Sequence, residues 1–124
     1  MKAKVYFSRQ ITPEKVVELY KAVGLELPGK VAVKVRSGEP GNQNFLTPEF
    51  WQPMVETVHG TIVECNTAYP GERNTTDAHR RTMIKHGWSK LFDVDILDAE
   101  GPDLELPIPN GKRIQKNLVG KDIK

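Results

Sequence analysis

The chain predicts an α/β fold: a mostly parallel sheet with helices on its faces, plus a C-terminal antiparallel hairpin. Three observations predict it. β-rich runs alternate with capped helical stretches from Ala3 to Gly87, the Thr-Pro-Glu cap at 12–14 recurs at 47–49, and short alternating runs flank Asn110-Gly111 near the end. Strand-helix alternation is the pattern of a parallel layer joined by right-handed crossovers. Asn-Gly between alternating runs is a strong local hairpin signal.

Taken in order, AKVYFS at 3–8 predicts a short opening strand. In ITPEKVVELYKAVGL, Thr12 is placed to cap a helix, Pro13 suits its first turn and Gly24 ends it, with Val16, Leu19, Tyr20 and Val23 on one face. Residues 30–36 alternate, Val31, Val33 and Val35 against Lys30, Ala32, Lys34 and Arg36, which is the two-residue period of a strand. A polar loop fills 37–46. A second TPE at 47–49 opens a helix to about His59 with Phe50, Met54 and Val58 as the expected inner stripe and Pro53 near its first turn. TIVECNTAY then predicts a strand with a polar end, PGERN a loop, and NTTDAHRRTMIKHGW a helix closed by Gly87. FDVDILD and DLELPIPNGKRIQKNLV read as simpler alternating strands, an antiparallel ribbon attached to the sheet. Residues 1–124 are expected to form one α/β domain that reads as the front portion of a larger one, since few helices are available to cover two sheet faces.

Composition narrows the function classes. Hydrophobic content of 38% and charge of 27% describe a globular chain. No apolar run approaches the roughly 20 residues needed to span a bilayer, so no membrane partner and a cytoplasmic location are expected. Eighteen Lys and Arg against sixteen Asp and Glu leave a net charge of +2, and aromatics make up 7%, which speaks against a nucleic-acid surface. The single cysteine, Cys65, excludes an internal disulfide and an all-cysteine metal or cluster site.

In an open parallel sheet, ligands sit beyond the carboxyl ends of the strands, where helix N-termini favour phosphate or carboxylate groups. Two polar loops occupy that place, 37–44 and 66–74, and they form opposite walls of one crevice if their strands are neighbours. The first contributes Ser37, Glu39, Gly41 and Asn42: its glycines let backbone N–H groups approach an anion, Asn42 adds donors, and Glu39 suits a cation, a ligand hydroxyl or proton transfer. It matches neither the Walker pattern nor GxGxxG, and the plain alternative is a long turn. Lys34 shares the Ala32 face, which a covering helix would bury, so it needs a partner, a ligand or a route to solvent. Arg73 is the natural fork for a carboxylate or phosphate, or else a solvated arginine paired with Glu72. Asn66 and Thr67 leave a strand end towards the crevice, and Thr67 and Asn74 can instead tighten the loop. His79 lies near a helix start. It stands seven residues from His86, about 10 Å of rise, too far for joint ligation of one metal. Cys65 is expected to be a small buried hydrophobe, Trp51 and Trp88 to pack, and Asp93, Asp95 and Asp98 to form a hydrated face, so no metal site is expected.

Three stretches, VAVKVRSGEPGNQNFLTPEFWQPMVE, GTIVECNTAYPGERNTTDAHRRTMIKHGW and FDVDILD, together resemble the family catalogued as domain of unknown function 362. The most specific pieces are the lysine-bearing strand into SGEPGN, the series Glu64, Asn66, Thr67, Tyr69, Arg73, Asn74 and Thr75, and HGW at 86–88. The resemblance implies a redox-linked or small-molecule-binding α/β protein whose longer members carry ferredoxin-type cysteine segments for an iron-sulfur cluster. No such cofactor is expected within this chain, because Cys65 alone cannot supply the four thiolates that clusters commonly use. Two functions are therefore expected to compete. One is a site for a small anionic ligand held by Lys34, the Ser37–Asn42 loop and Arg73, with catalysis undecided. The other is a non-enzymatic partial domain that assembles as a homo-oligomer or with a missing C-terminal partner.

Overall fold

A computed structural model of the chain describes residues 2–99, 104–107, 109, 110, 112 and 116–119. Its elements run α1 (Pro13–Val23), β1 (Val31–Lys34), α2 (Pro48–Val58), β2 (Gly60–Glu64), α3 (Thr76–Lys85), α4 (Trp88–Leu91), β3 (Val94–Ile96), β4 (Leu104–Pro107) and β5 (Lys116–Val119). Strands β1, β2 and β3 lie side by side in that order, all parallel, with Val33 opposite Ile62 and Ile62 opposite Val94. The class is mixed α/β, as the alternation of elements predicts.

Register decides where the core sits. Parallel partners point to the same side of a sheet, so Val33, Ile62 and Val94 share one face. On that face Val35, Val55, Ile62, Met83 and Trp88 form the buried core, with Phe45, Trp51 and Phe92 packed against it. Helices α2, α3 and α4 thus cover the same side. Each large apolar side chain enclosed there contributes roughly 1.5–3 kcal/mol. On the opposite face Ala32 and Lys34 are exposed, and among the described residues the covering helix expected over Lys34 is not present.

Local chemistry sets the helix ends. Thr12 Oγ1 accepts from the Lys15 N–H at 3.2 Å, Pro13 occupies the first turn, and Gly24 closes α1 at φ 67°. Thr47 and Thr75 precede α2 and α3 in extended conformation without a side-chain cap bond. Pro53 falls inside α2 rather than in its first turn, where it withholds one backbone donor. The side chains α2 gives the core are Val55 and Trp51, whereas the expected stripe of Phe50, Met54 and Val58 is only half-buried. Gly87, at φ 83°, ends the third helical stretch as predicted, and the chain then restarts as the short α4.

Three further expectations are corrected. Residues 3–8 form no strand: Val5 and Phe7 are 87% and 80% exposed. β-rich composition makes a strand only where a ladder and an apolar surface receive it. FDVDILD supplies β3, the third parallel strand, rather than part of an antiparallel ribbon. Strands β4 and β5 do pair antiparallel, Leu104 opposite Val119, but as a separate two-stranded ladder. Asn110 has φ 60°, while Gly111, needed for the predicted turn, lies outside the described residues.

Trp88 is fully buried, so Trp88→Ala is expected to cost about 3–5 kcal/mol of unfolding free energy. Ile84→Ala, at a side chain in α3 that is 65% exposed, is expected to cost under about 0.5 kcal/mol. Urea unfolding followed by far-ultraviolet circular dichroism checks both.

Candidate functional site

The loop after β1 is folded by contacts that reach it from the far side of the core. Gly38 adopts φ 89° with the Phe45 ring against its α-carbon; a Cβ there would stand 2.5 Å from Phe45 Cδ1. Phe45 in turn stacks on His86, with centroids 4.8 Å apart. His86 Nδ1 lies 2.9 Å from the Ser37 carbonyl, and the Trp88 indole N–H donates to the same oxygen at 3.1 Å. His86-Gly87-Trp88 therefore acts as a clamp on Ser37. Further along, the Asn42 N–H donates to Glu39 O at 2.9 Å, with Pro40 first and Gly41, φ 77°, second in the turn between them. That is a type II turn, which calls for these residue types. Asn42 Oδ1 accepts from the Asn44 N–H at 2.7 Å, so Gly41 and Asn42 build the turn.

The loop after β2 closes on itself. The Thr67 N–H donates to Arg73 O at 2.8 Å, Thr67 Oγ1 donates to Tyr69 O at 3.2 Å, and the Asn74 N–H donates to Gly71 O at 3.3 Å. This closure turns the Arg73 side chain inward, where it is 8% exposed. The pairing with Glu72 raised by the sequence gives way to longer-range partners.

Strands β1 and β2 are neighbours, so the two loops do face each other, and a charge cluster bridges them. Its centre is Glu64, the last residue of β2, whose side chain is 3% exposed. Oε2 of Glu64 accepts from Lys34 Nζ at 2.7 Å and from the Cys65 N–H at 3.2 Å. Its Oε1 accepts from the Ser37 N–H and hydroxyl, both at 3.1 Å, and from Arg73 Nη1 at 3.4 Å. Lys34 also donates to Val35 O at 2.8 Å, its stem leaving the open face and its head curling over the strand end. Arg73 then links Glu64 to Glu39: Nε donates to Glu39 Oε1 at 3.0 Å and Nη2 donates to the same oxygen. The Tyr69 hydroxyl donates to Glu39 Oε1 at 2.7 Å and accepts from Arg73 Nη2 at 3.1 Å. Two cations and two carboxylates alternate in one chain of contacts.

His79 forms the back of the cluster. It is fully buried in α3, and its Nδ1 lies 3.2 Å from Asn66 Oδ1. The Asn66 amide nitrogen donates to Thr76 Oγ1 at 3.0 Å, which orients Oδ1 to accept and places the imidazole proton on Nδ1. Nε2 then carries a bare lone pair, and it is buried without a hydrogen-bond partner among the described residues. Native interiors rarely leave such an acceptor unmatched, so this one calls for a donor. The Asn66 N–H is held by Asp98 Oδ1 at 2.9 Å, which takes Asp98 out of the purely hydrated role expected of it.

Electrostatics follow the geometry. Burial pushes Glu64 up, yet the Lys34 ammonium and the Ser37 donors outweigh it and hold the carboxyl below its ordinary 4.5. Glu39 is also lowered, chiefly by its bonds from Arg73 and then Tyr69. Arg73 is raised by Glu39 against the opposing effect of burial. Burial lowers His79 below 6.5, with Glu64 and Asp98 opposing and Arg73 and Lys34 assisting.

Of the residues the sequence singles out, Lys34, Ser37, Glu39 and Arg73 meet in the cluster, and Asn66 and His79 stand directly behind it. Gly41, Asn42, Thr67 and Asn74 hold loop shape instead. Glu64 and Tyr69 join the site although the sequence reading named them only within the family motif; the signal was a lone carboxylate ending an apolar strand, with a lysine near the end of the preceding strand. Cys65 is exposed, against the expectation of burial. Among the described residues no group of three or more His, Cys, Asp or Glu is arranged to hold a metal ion, and one thiolate does not fit an iron-sulfur cluster. No helix among the described residues is long and apolar enough to cross a membrane.

The fold and the cluster define an α/β domain with a charged side-chain cluster at the carboxyl ends of adjacent parallel strands. A family model described as Domain of unknown function (DUF362) matches residues 31–124, well over half the chain, and the chain belongs to that family. Comparison with curated proteins and with solved structures gave no match.

Glu64→Gln removes the anion on which Lys34, Ser37 and Arg73 converge and is expected to cost about 3 kcal/mol, read from urea unfolding. His79 governs a separate pH response. Its folded pKa is depressed, so the unfolded chain binds the proton more tightly, and the stability it supports is complete above 6.5 and lost as pH falls through the lowered folded value. Glu39 and Glu64 lose theirs only below 4.5. The drop in melting temperature between neutral pH and about pH 5 is expected to be smaller in His79→Gln than in the wild type.

Proposed function

We propose that this domain binds a small molecule through an anionic group at the carboxyl ends of β1 and β2. The observation that supports this most directly is the convergence of Lys34, Ser37 and Arg73, from two neighbouring strand ends, on one spot. The Lys34 side chain is 59% exposed, so its ammonium can serve a ligand and Glu64 together. His79 Nε2, buried and in need of a donor, suits a ligand hydroxyl or amine, or a water that relays to one. In a redox-linked setting, as the family resemblance implies for longer members, any iron-sulfur cluster would be held by cysteines other than Cys65.

Lys34→Ala and Arg73→Gln are each expected to weaken binding of acetate or inorganic phosphate by about tenfold or more, followed by NMR titration of the amides of residues 36–42 and 66–74. Far-ultraviolet circular dichroism verifies that both variants fold. Affinities equal to wild type in both would defeat the proposal.

A second reading, assembly with another copy, is favoured by one observation. Val5, Phe7 and Ile11 are 87%, 80% and 77% exposed, and α1 buries no residue. Sedimentation across a micromolar concentration series is expected to show self-association; a monomer throughout argues against it.

A further inference from the structure

The contact between Arg73 and Glu39 has an unusual form for a strong ion pair. The Nε and Nη2 edge of a guanidinium presents two parallel N–H groups that match the two oxygens of a carboxylate. Glu39 answers with one oxygen: the bonds from Arg73 Nε, Arg73 Nη2 and the Tyr69 hydroxyl all converge on Oε1. A free carboxylate would satisfy the same donors with both oxygens.

The two acidic partners of Arg73 also differ in how they are held. Glu64 belongs to a central strand, is 3% exposed and accepts five bonds. Glu39 is 29% exposed and sits on a turn between Gly38 and Gly41, both at positive φ. Glu64 is thus fixed, and Glu39 can leave. Its departure would remove one negative charge from a cluster in which Lys34 and Arg73 balance Glu64 and Glu39, while Arg36 adds a further positive charge nearby.

We propose that Glu39 is an internal placeholder, and that a carboxylate-bearing small molecule displaces it from Arg73 and Tyr69 to enter the site. This rests on the anion-binding function above and narrows its ligand class. The single positive charge uncovered matches a monoanionic carboxylate better than a phosphate, which would bring excess negative charge beside the buried Glu64. The turn carrying Glu39 moves outward as the ligand takes its place, and Glu64 keeps Nη1 of Arg73 aimed throughout.

The test titrates acetate, and separately inorganic phosphate, into wild type and Glu39→Gln while the Arg73 Nε–H resonance is observed by ¹H–¹⁵N NMR. Glu39→Gln is expected to bind acetate about tenfold more tightly than wild type, and more tightly than it binds phosphate. Equal acetate affinity in the two proteins overturns displacement while leaving an anion site in place. Tighter phosphate than acetate in the variant overturns the carboxylate class. Failure of both anions to shift the resonance in either protein overturns the placeholder and the anion site together.

Discussion

The buried carboxylate of Glu64 is the constraint on which the strand ends depend. An ionised group in so enclosed a position is costly unless its lone pairs are filled and its charge is answered. Meeting that demand draws Lys34 over the end of β1, turns Ser37 inward and pulls Arg73 out of solvent. Two loops that would otherwise be separate excursions are thereby tied to one point.

The other constraint comes from the opposite direction. His86 and Trp88 hold the Ser37 carbonyl from the helical layer, while Glu64 holds the Ser37 N–H and hydroxyl from the sheet. Ser37 is fully buried yet all of its polar groups are engaged. The close approach of Phe45 to Gly38 completes the arrangement, since a side chain at that position would collide with the ring. The loop is buried at Ser37 and Gly38 and reaches towards solvent at its Glu39–Asn42 tip.

Much of the fold was legible because its signals are local. The TPE caps, Gly24, Gly87 and the alternation of residues 31–34 each determine a few dihedral angles, and the elements fall where they point. The errors arise where a tertiary partner decides. AKVYFS has the composition of a strand but no ladder to join, and Val55 and Trp51 displace Phe50 and Met54 from the core because the sheet, not the helix, chooses the buried face. The same holds at the site. Lys34 and Arg73 announce themselves by charge, whereas Glu64 gains its importance only through thirty residues of separation from Lys34 that the parallel register closes. Cys65, one residue beyond the end of the strand, is exposed.

The bond from the Trp88 indole to Ser37 gives the protein an internal optical reporter. The ring is shielded from water, and its one polar atom is anchored to the residue from which the Glu39 turn departs. Indole emission responds to the field and the hydrogen bond at its nitrogen, so rearrangement of the loop would register in the colour of Trp88 fluorescence, against the half-buried Trp51 as a second emitter. The clamp on Ser37 would also make movement of the loop that follows it visible.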